Sequence, residues 1–178
     1  MFNLKSIYFY FLALQITLIK FCKKVYFSTN YYNKSLASKT PRQFFFHPNP
    51  FLLSSITNYK KYSFKISEID PNLFWIKQKN LREEEEKHSF LWLNLIDRKN
   101  DGKIIQRIID LWMLKHFKYK KDIWETSVLS KRIISWILNV DIILNNSSFN
   151  FKKNFLDSII FQANHLKKNI KFKKTIHF

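Results

Sequence analysis

The second half of the chain places apolar residues at helical spacing in three stretches. These residues repeat every three or four positions over residues 104–112, 128–144 and 151–166, which is the period of α-helices with one buried face. An Asn-Asp-Gly turn at residues 100–102 precedes the first stretch, and an Asn-Asn-Ser-Ser run at residues 145–148 separates the second from the third. Because these connections are short, we expect antiparallel helical hairpins.

The N-terminal region contains the most apolar run of the chain, residues 7–19, which has no charged residue. This run is shorter than a membrane span, which needs about 20 residues, and no small-residue cleavage site follows it as in a signal peptide. We therefore expect a docked, mostly buried helix within residues 1–37, and we do not expect the chain to bind a membrane. A targeting segment is the alternative, so cytoplasmic and periplasmic locations both stay open.

Residues 38–84 form an irregular region without a helical period. The four prolines of the chain all lie there, and proline disfavours long helices. We expect a long, proline-bearing connection with one or two short strands, around residues 44–47 and 62–66.

Acidic residues cluster at residues 83–86, just ahead of an apolar run. Negative charge stabilises the N-terminal end of a helix by opposing the positive end of its dipole, so we expect these glutamates to lie at a helix N-terminus. A paired-carboxylate active site is the alternative, but four adjacent glutamates rarely converge on one point.

Composition narrows the fold class and the partners. One glycine among 178 residues disfavours an all-β fold, which needs many tight turns, so we expect an all-α protein. The formal net charge is +18, and most of it comes from lysines scattered along the chain, whereas nucleic-acid readers concentrate arginine on one face. We therefore do not expect nucleic-acid binding, and a basic surface suits an acidic polysaccharide equally well.

The sequence offers no metal or cofactor motif. Cys22 is the only cysteine, which excludes an intrachain disulfide and a cysteine-based zinc site. His116, His165 and His177 lack the spacing of a metal site. We expect neither a metal nor a cofactor.

Residues 88–169 carry an ordered set of motifs. A His-x-Phe-x-Trp-Leu segment begins at His88. A Trp-x₇-Arg-x₃-Trp segment comprises Trp124, Arg132 and Trp136, and the third helix ends in Gln-Ala-Asn-His-Leu. This order resembles the N-terminal helical domain of bacterial heparinase II/III-like proteins, which are polysaccharide lyases built on an incomplete α/α toroid. The resemblance covers residues 85–170 and is weak before them.

The resemblance implies that the chain is the first part of such a toroid. Full-length relatives cleave an acidic polysaccharide by β-elimination, and their catalytic helices would follow the matching block, so the catalytic residues would be missing and enzyme activity stays an open question. The tail at residues 171–178 departs from the family pattern, which is what a frame slip in a lysine-rich gene would produce. A separately encoded remainder of the same protein is then the expected partner. A basic nucleic-acid-binding module and a membrane-anchored structural protein are the alternative functions.

Five residues are candidates for contacting the sugar. Tryptophan can stack on a sugar ring, and an arginine can hold a uronate carboxylate through two parallel hydrogen bonds. The structural alternative is that the aromatic side chains form the core, that the histidine satisfies a backbone carbonyl, and that the arginine pairs with Asp122 or Glu125. The candidates are His88, Trp92, Trp124, Arg132 and Trp136.

Overall fold

The computed structural model describes residues 4–38, 70–76, 80–94, 96 and 102–176, with side chains from residue 6 to residue 170. The described residues are helices, turns and bends and contain no strand, which confirms the all-α class. The strands expected around residues 44–47 and 62–66 lie outside the described residues. Met1–Ser35 and Leu36–Phe178 form two compact units.

Eight α-helices are described, together with a 3-10 helix at Leu91–Asn94. In chain order the α-helices are α1 (Leu4–Ser28), α2 (Asn30–Lys34), α3 (Pro71–Phe74), α4 (Leu81–Ser89), α5 (Gly102–His116), α6 (Thr126–Leu138), α7 (Val140–Leu144) and α8 (Phe149–Ile176). The three apolar stretches of the second half therefore form helices as expected, and the last of these helices continues into the divergent tail. Their hairpin and toroid arrangement stays a prediction.

The first unit consists of α1 and the short helix α2. Thr29 caps α2, since its Oγ1 accepts a hydrogen bond from the Tyr32 amide at 3.1 Å. The large apolar side chains between residues 7 and 19 are 39–73% exposed. The expectation of a mostly buried N-terminal helix is therefore wrong: periodicity predicted the helix but not what covers it.

Helix α4 begins as expected and ends earlier than the apolar pattern indicates. Asn80 accepts a hydrogen bond from the Arg82 amide at 3.0 Å, and Glu83 and Glu84 lie in the first turn. There their negative charge is attracted by the positive end of the helix dipole. The helix stops at Phe90, which adopts a left-handed conformation with φ of 59°. A bulky residue rarely adopts this conformation, and here the side chain of Phe90 is fully buried.

The second apolar stretch divides into two helices at Asn139. This residue ends α6 with φ of −110°, and its Nδ2 donates to the Ser135 carbonyl at 2.9 Å and to Asn94 Oδ1 at 3.0 Å. These two hydrogen bonds satisfy the amide nitrogen of a buried asparagine.

The core of the second unit takes aromatic residues from several helices. Trp136 of α6 lies 5.2 Å from the ring of Trp112 of α5, and 5.1 Å from the rings of Phe90 and of Phe155 on α8. The pairs with Trp112 and Phe90 are edge-to-face and the pair with Phe155 is tilted, and aromatic pairs at these distances add to the stabilisation from burial. The helices of the second half therefore share one core, centred on the fully buried Trp136.

Replacing Trp136 by alanine should lower the free energy of unfolding by about 3–5 kcal/mol, because the substitution leaves a large cavity among aromatic rings. Leu114 is a matched control on α5, since its side chain is 75% exposed, and Leu114→Ala should change stability by about 0.5 kcal/mol or less. Urea unfolding followed by circular dichroism measures both values, and equal effects would contradict the core assignment.

Candidate functional site

The five candidate residues all lie in the interior. Their exposed fractions are 6% for His88, 8% for Trp92, 1% for Trp124, and 0% for Arg132 and Trp136. Within the part of the chain that the structure describes, these side chains do not line an open groove. The arrangement matches the structural alternative, in which the aromatic side chains are core.

Arg132 stands at the centre of this buried region. Its Nε donates to Gln162 Oε1 of α8 at 2.6 Å, and its Nη1 donates to the carbonyls of His88 and Ile123 at 3.0 and 3.1 Å. The guanidinium carbon lies 4.4 Å from the ring centre of Trp112, which is a cation–π distance. One side chain of α6 thus joins the end of α4, the turn before α6, and helices α5 and α8.

The partners of Arg132 are all neutral. Neither Asp122 nor Glu125, the partners named in the structural alternative, contacts Arg132 among the described residues. Glu125 caps α6 by accepting a hydrogen bond from the Ser127 amide at 2.7 Å. Burial lowers the pKa of Arg132 to about 9, and Nη2 meets no hydrogen-bond acceptor among the described residues. Main-chain dipoles, an amide and an indole face therefore stabilise a desolvated charge.

His88 is held in one tautomer by its two neighbours. The Trp112 indole N–H donates to His88 Nδ1 at 3.0 Å, and because an indole nitrogen only donates, Nδ1 carries no proton. The proton therefore sits on Nε2, which lies 3.2 Å from Glu84 Oε2. His88 and Trp92 do not share a helical face, since α4 ends between them and Trp92 belongs to the 3-10 helix.

Both histidines near Arg132 are neutral at physiological pH. Burial, the neighbouring His116 and then Arg132 lower the pKa of His88 to about 3. Burial, Lys120 and then Arg132 lower the pKa of His116 to about 4. A general acid or base works best with a pKa near the operating pH, so neither histidine is tuned for proton transfer at pH 7.

Trp124 lies in a second aromatic cluster with His165. Their ring centres are 5.2 Å apart, and His165 is fully buried. The adjacent Asn164 donates through Nδ2 to the Leu36 carbonyl at 2.8 Å, which ties α8 to the start of the second unit. The Asn-His pair near the end of the chain thus has structural contacts here.

Sequence reasoning missed several polar residues of the interior. Gln162 accepts the shortest hydrogen bond of Arg132, and Ser135 donates through Oγ to the Phe90 carbonyl at 2.6 Å. The sequence does indicate this network, because Arg132, Ser135 and Asn139 are polar positions inside the apolar stripe of α6 and its C-terminal cap. Buried polar side chains need partners, so this spacing indicates an internal network, although it does not identify the partners.

The described surface has one further feature of note, a charged cleft, and no metal-binding cluster. Residues 4–38, 70–76, 80–94, 96 and 102–176 contain no cluster of three side chains able to hold a metal ion. A cleft of about 170 Å³ opens between α4 and α6, with charged residues of both signs. It is lined by Arg82, Glu85, Glu86, Ser89, Val128 and Lys131.

Comparisons of the chain with models of protein families, with curated proteins and with solved structures found no match. The family resemblance of residues 88–169 therefore depends on the motifs of the sequence alone.

Arg132→Lys should lower the free energy of unfolding by about 2–4 kcal/mol, because lysine lacks the planar fork and leaves buried acceptors unpaired. Arg107 is a matched control, with its side chain 55% exposed and 3.8 Å from Asp110, and Arg107→Lys should be close to neutral. A double-mutant cycle of Arg132→Lys with Gln162→Ala should show coupling of about 0.5–3 kcal/mol. Additive effects measured by urea unfolding would contradict the shared network.

Stability should fall as the pH drops below about 6.5, the ordinary histidine pKa. The unfolded chain then binds protons at His88 and His116 while the folded chain does not, because their folded pKa values are about 3 and 4. Urea unfolding between pH 7 and pH 5 measures this loss before most carboxylates titrate. The double variant His88→Gln, His116→Gln should show a flatter dependence, and an unchanged slope would contradict the assignment.

Proposed function

We propose that this chain forms the opening helical part of an α/α toroid of the heparinase II/III type, and that it is a scaffold for a polysaccharide lyase rather than its catalytic part. The observation that carries the scaffold role is the placement of Arg132. This residue of the family-like motif is fully buried and bonds to segments on both sides of it in sequence. The all-α fold is compatible with a toroid. The family is proposed from the sequence motifs alone.

The chemistry of β-elimination favours a scaffold role. The reaction needs a group that neutralises the uronate carboxylate, a base that removes the adjacent proton, and an acid that protonates the leaving oxygen, all converging on one sugar. Arg132 already uses its Nε and Nη1 on internal acceptors, and the pKa values of His88 and His116 are far below 7. We propose that a separately encoded remainder supplies the catalytic groups.

Attraction to an acidic polysaccharide would come from the protein surface. Lysines of the second unit are exposed, in contrast to the five buried candidate residues, and salt screens such contacts readily. The polyanion would therefore bind weakly, and the protein would show little preference for one sugar unit over another. Exposed examples are Lys103, Lys115, Lys131, Lys152, Lys153 and Lys167.

The purified chain should release no unsaturated uronate from heparin, heparan sulfate or alginate. This product absorbs in the near ultraviolet, so a spectrophotometer follows it directly, and an active lyase serves as the positive control. Robust product formation by the chain alone would contradict the scaffold role, because it would require an assembled catalytic set.

The family assignment has a separate test in the gene. We expect the gene sequence that follows codon 178 to encode further toroid helices and a β-rich domain. Mixing that product with this chain should restore lyase activity, and Arg132→Ala should reduce the restored activity by destabilising the scaffold. A downstream sequence unrelated to a toroid would contradict the family proposal while leaving the buried Arg132 network unaffected.

A further inference from the structure

Helix α1 presents apolar side chains in every direction. Successive residues of an α-helix are about 100° apart around its axis, so the six consecutive apolar residues 7–12 cover the whole circumference. Their exposed fractions range from 39% for Leu12 to 73% for Tyr10. A helix that is apolar on all sides belongs in a protein core or in a membrane.

The length of the helix and the state of its polar groups suit a bilayer. The candidate span of α1 runs from Ser6 to Ser28, and its most apolar window has a mean hydropathy of 1.2 and is not buried. Its 23 residues extend about 35 Å, which covers a hydrocarbon core of about 30 Å when the stems of Lys20, Lys23 and Lys24 run through the apolar layer to the headgroups. Thr17 Oγ1 donates to the Ala13 carbonyl at 2.8 Å, so this hydroxyl is satisfied inside the helix, as lipid requires.

Three of the four charged residues of α1 lie in its C-terminal part, and the fourth, Lys5, lies at its N-terminal end. No charge interrupts residues 6–19, and Lys20, Lys23 and Lys24 follow. Long lysine side chains reach the headgroups while their stems stay in the apolar layer, and anionic headgroups attract them. Tyr8 and Tyr10 lie near the other end of the helix, where tyrosines commonly meet the membrane–water interface.

We propose that α1 anchors this protein in a lipid bilayer, with its lysine-bearing end at the anionic cytoplasmic surface. A protein groove would cover one face of α1 and leave the opposite apolar face in water, whereas lipid covers all faces at once. The distribution of lysines sets the orientation, because basic residues flanking a membrane helix stay on the cytoplasmic side. This proposal does not depend on the scaffold function.

Vesicle flotation with the full chain tests the anchor. Wild type should float with vesicles of phosphatidylcholine and phosphatidylglycerol and stay bound in high salt. The variant Phe11→Lys, Leu14→Lys should lose most of this binding, because lysines in the middle of the apolar run oppose insertion. Phe149→Lys is the matched control, since Phe149 is an 80% exposed aromatic residue of α8, and it should float like wild type.

Electrostatics give a second measurement with the same vesicles. Replacing Lys20, Lys23 and Lys24 by glutamine should weaken binding to the anionic vesicles by roughly fivefold per lysine. Binding to pure phosphatidylcholine should change little, because that surface carries no net charge. Wild type that remains with soluble protein, releases in high salt, or loses binding equally through Phe149→Lys would overturn the proposal.

The variant Cys22→Ser, Asn30→Cys reports the orientation, because it keeps a single cysteine and places it at an exposed position just beyond the C-terminal end of α1. In bacterial spheroplasts expressing this full-length variant, a membrane-impermeant maleimide should label the new cysteine only after permeabilisation. Labelling of intact spheroplasts would overturn the orientation. Intact mass spectrometry of the extracted chain should show α1 retained, and its removal by cleavage would show a leader peptide and overturn the anchor.

Discussion

The guanidinium of Arg132 lies in the interior, where an unpaired charge is costly. Transferring a charged group out of water costs several kcal/mol even after relaxation, and no carboxylate of the described residues contacts this one. The cost is offset by two carbonyls, an amide oxygen and the face of Trp112. Each of these partners belongs to a different segment, so the segments must be in place together before the charge is stabilised. This requirement makes the second unit cooperative around one side chain.

The same constraint determines the state of the neighbouring histidine. The backbone carbonyl of His88 accepts from Arg132, while the ring nitrogen Nδ1 accepts from the indole of Trp112. A proton on Nδ1 would remove the second bond and place a cation beside the guanidinium. Burial is the largest cause of the low pKa of His88, and His116 and then Arg132 lower it further, so the neutral ring is a consequence of packing.

The sequence predicted the helices well where one apolar face repeats, as in α5 and α8, because burial on one side imposes a 3.6-residue period. It did not predict the end of α4 at Phe90, where tertiary packing stabilises a left-handed conformation against local preference. It offered nearby carboxylates only as one alternative for the partner of Arg132 and did not identify Gln162, which lies 30 residues away. Local spacing identifies which side chains turn inward, but their partners depend on how distant helices meet.

Sequence periodicity could not predict what covers α1, for a related reason. An all-round apolar helix has no polar face to indicate which side meets solvent, so a core and a bilayer give the same pattern. The large apolar side chains of residues 7–19 are exposed, which supports the bilayer proposed above. Exposed lysines of the second unit would attract anionic lipid and acidic polysaccharide alike, and salt would weaken both contacts. Attachment that survives high salt must therefore come from apolar burial, which the first unit alone supplies in abundance among the described side chains.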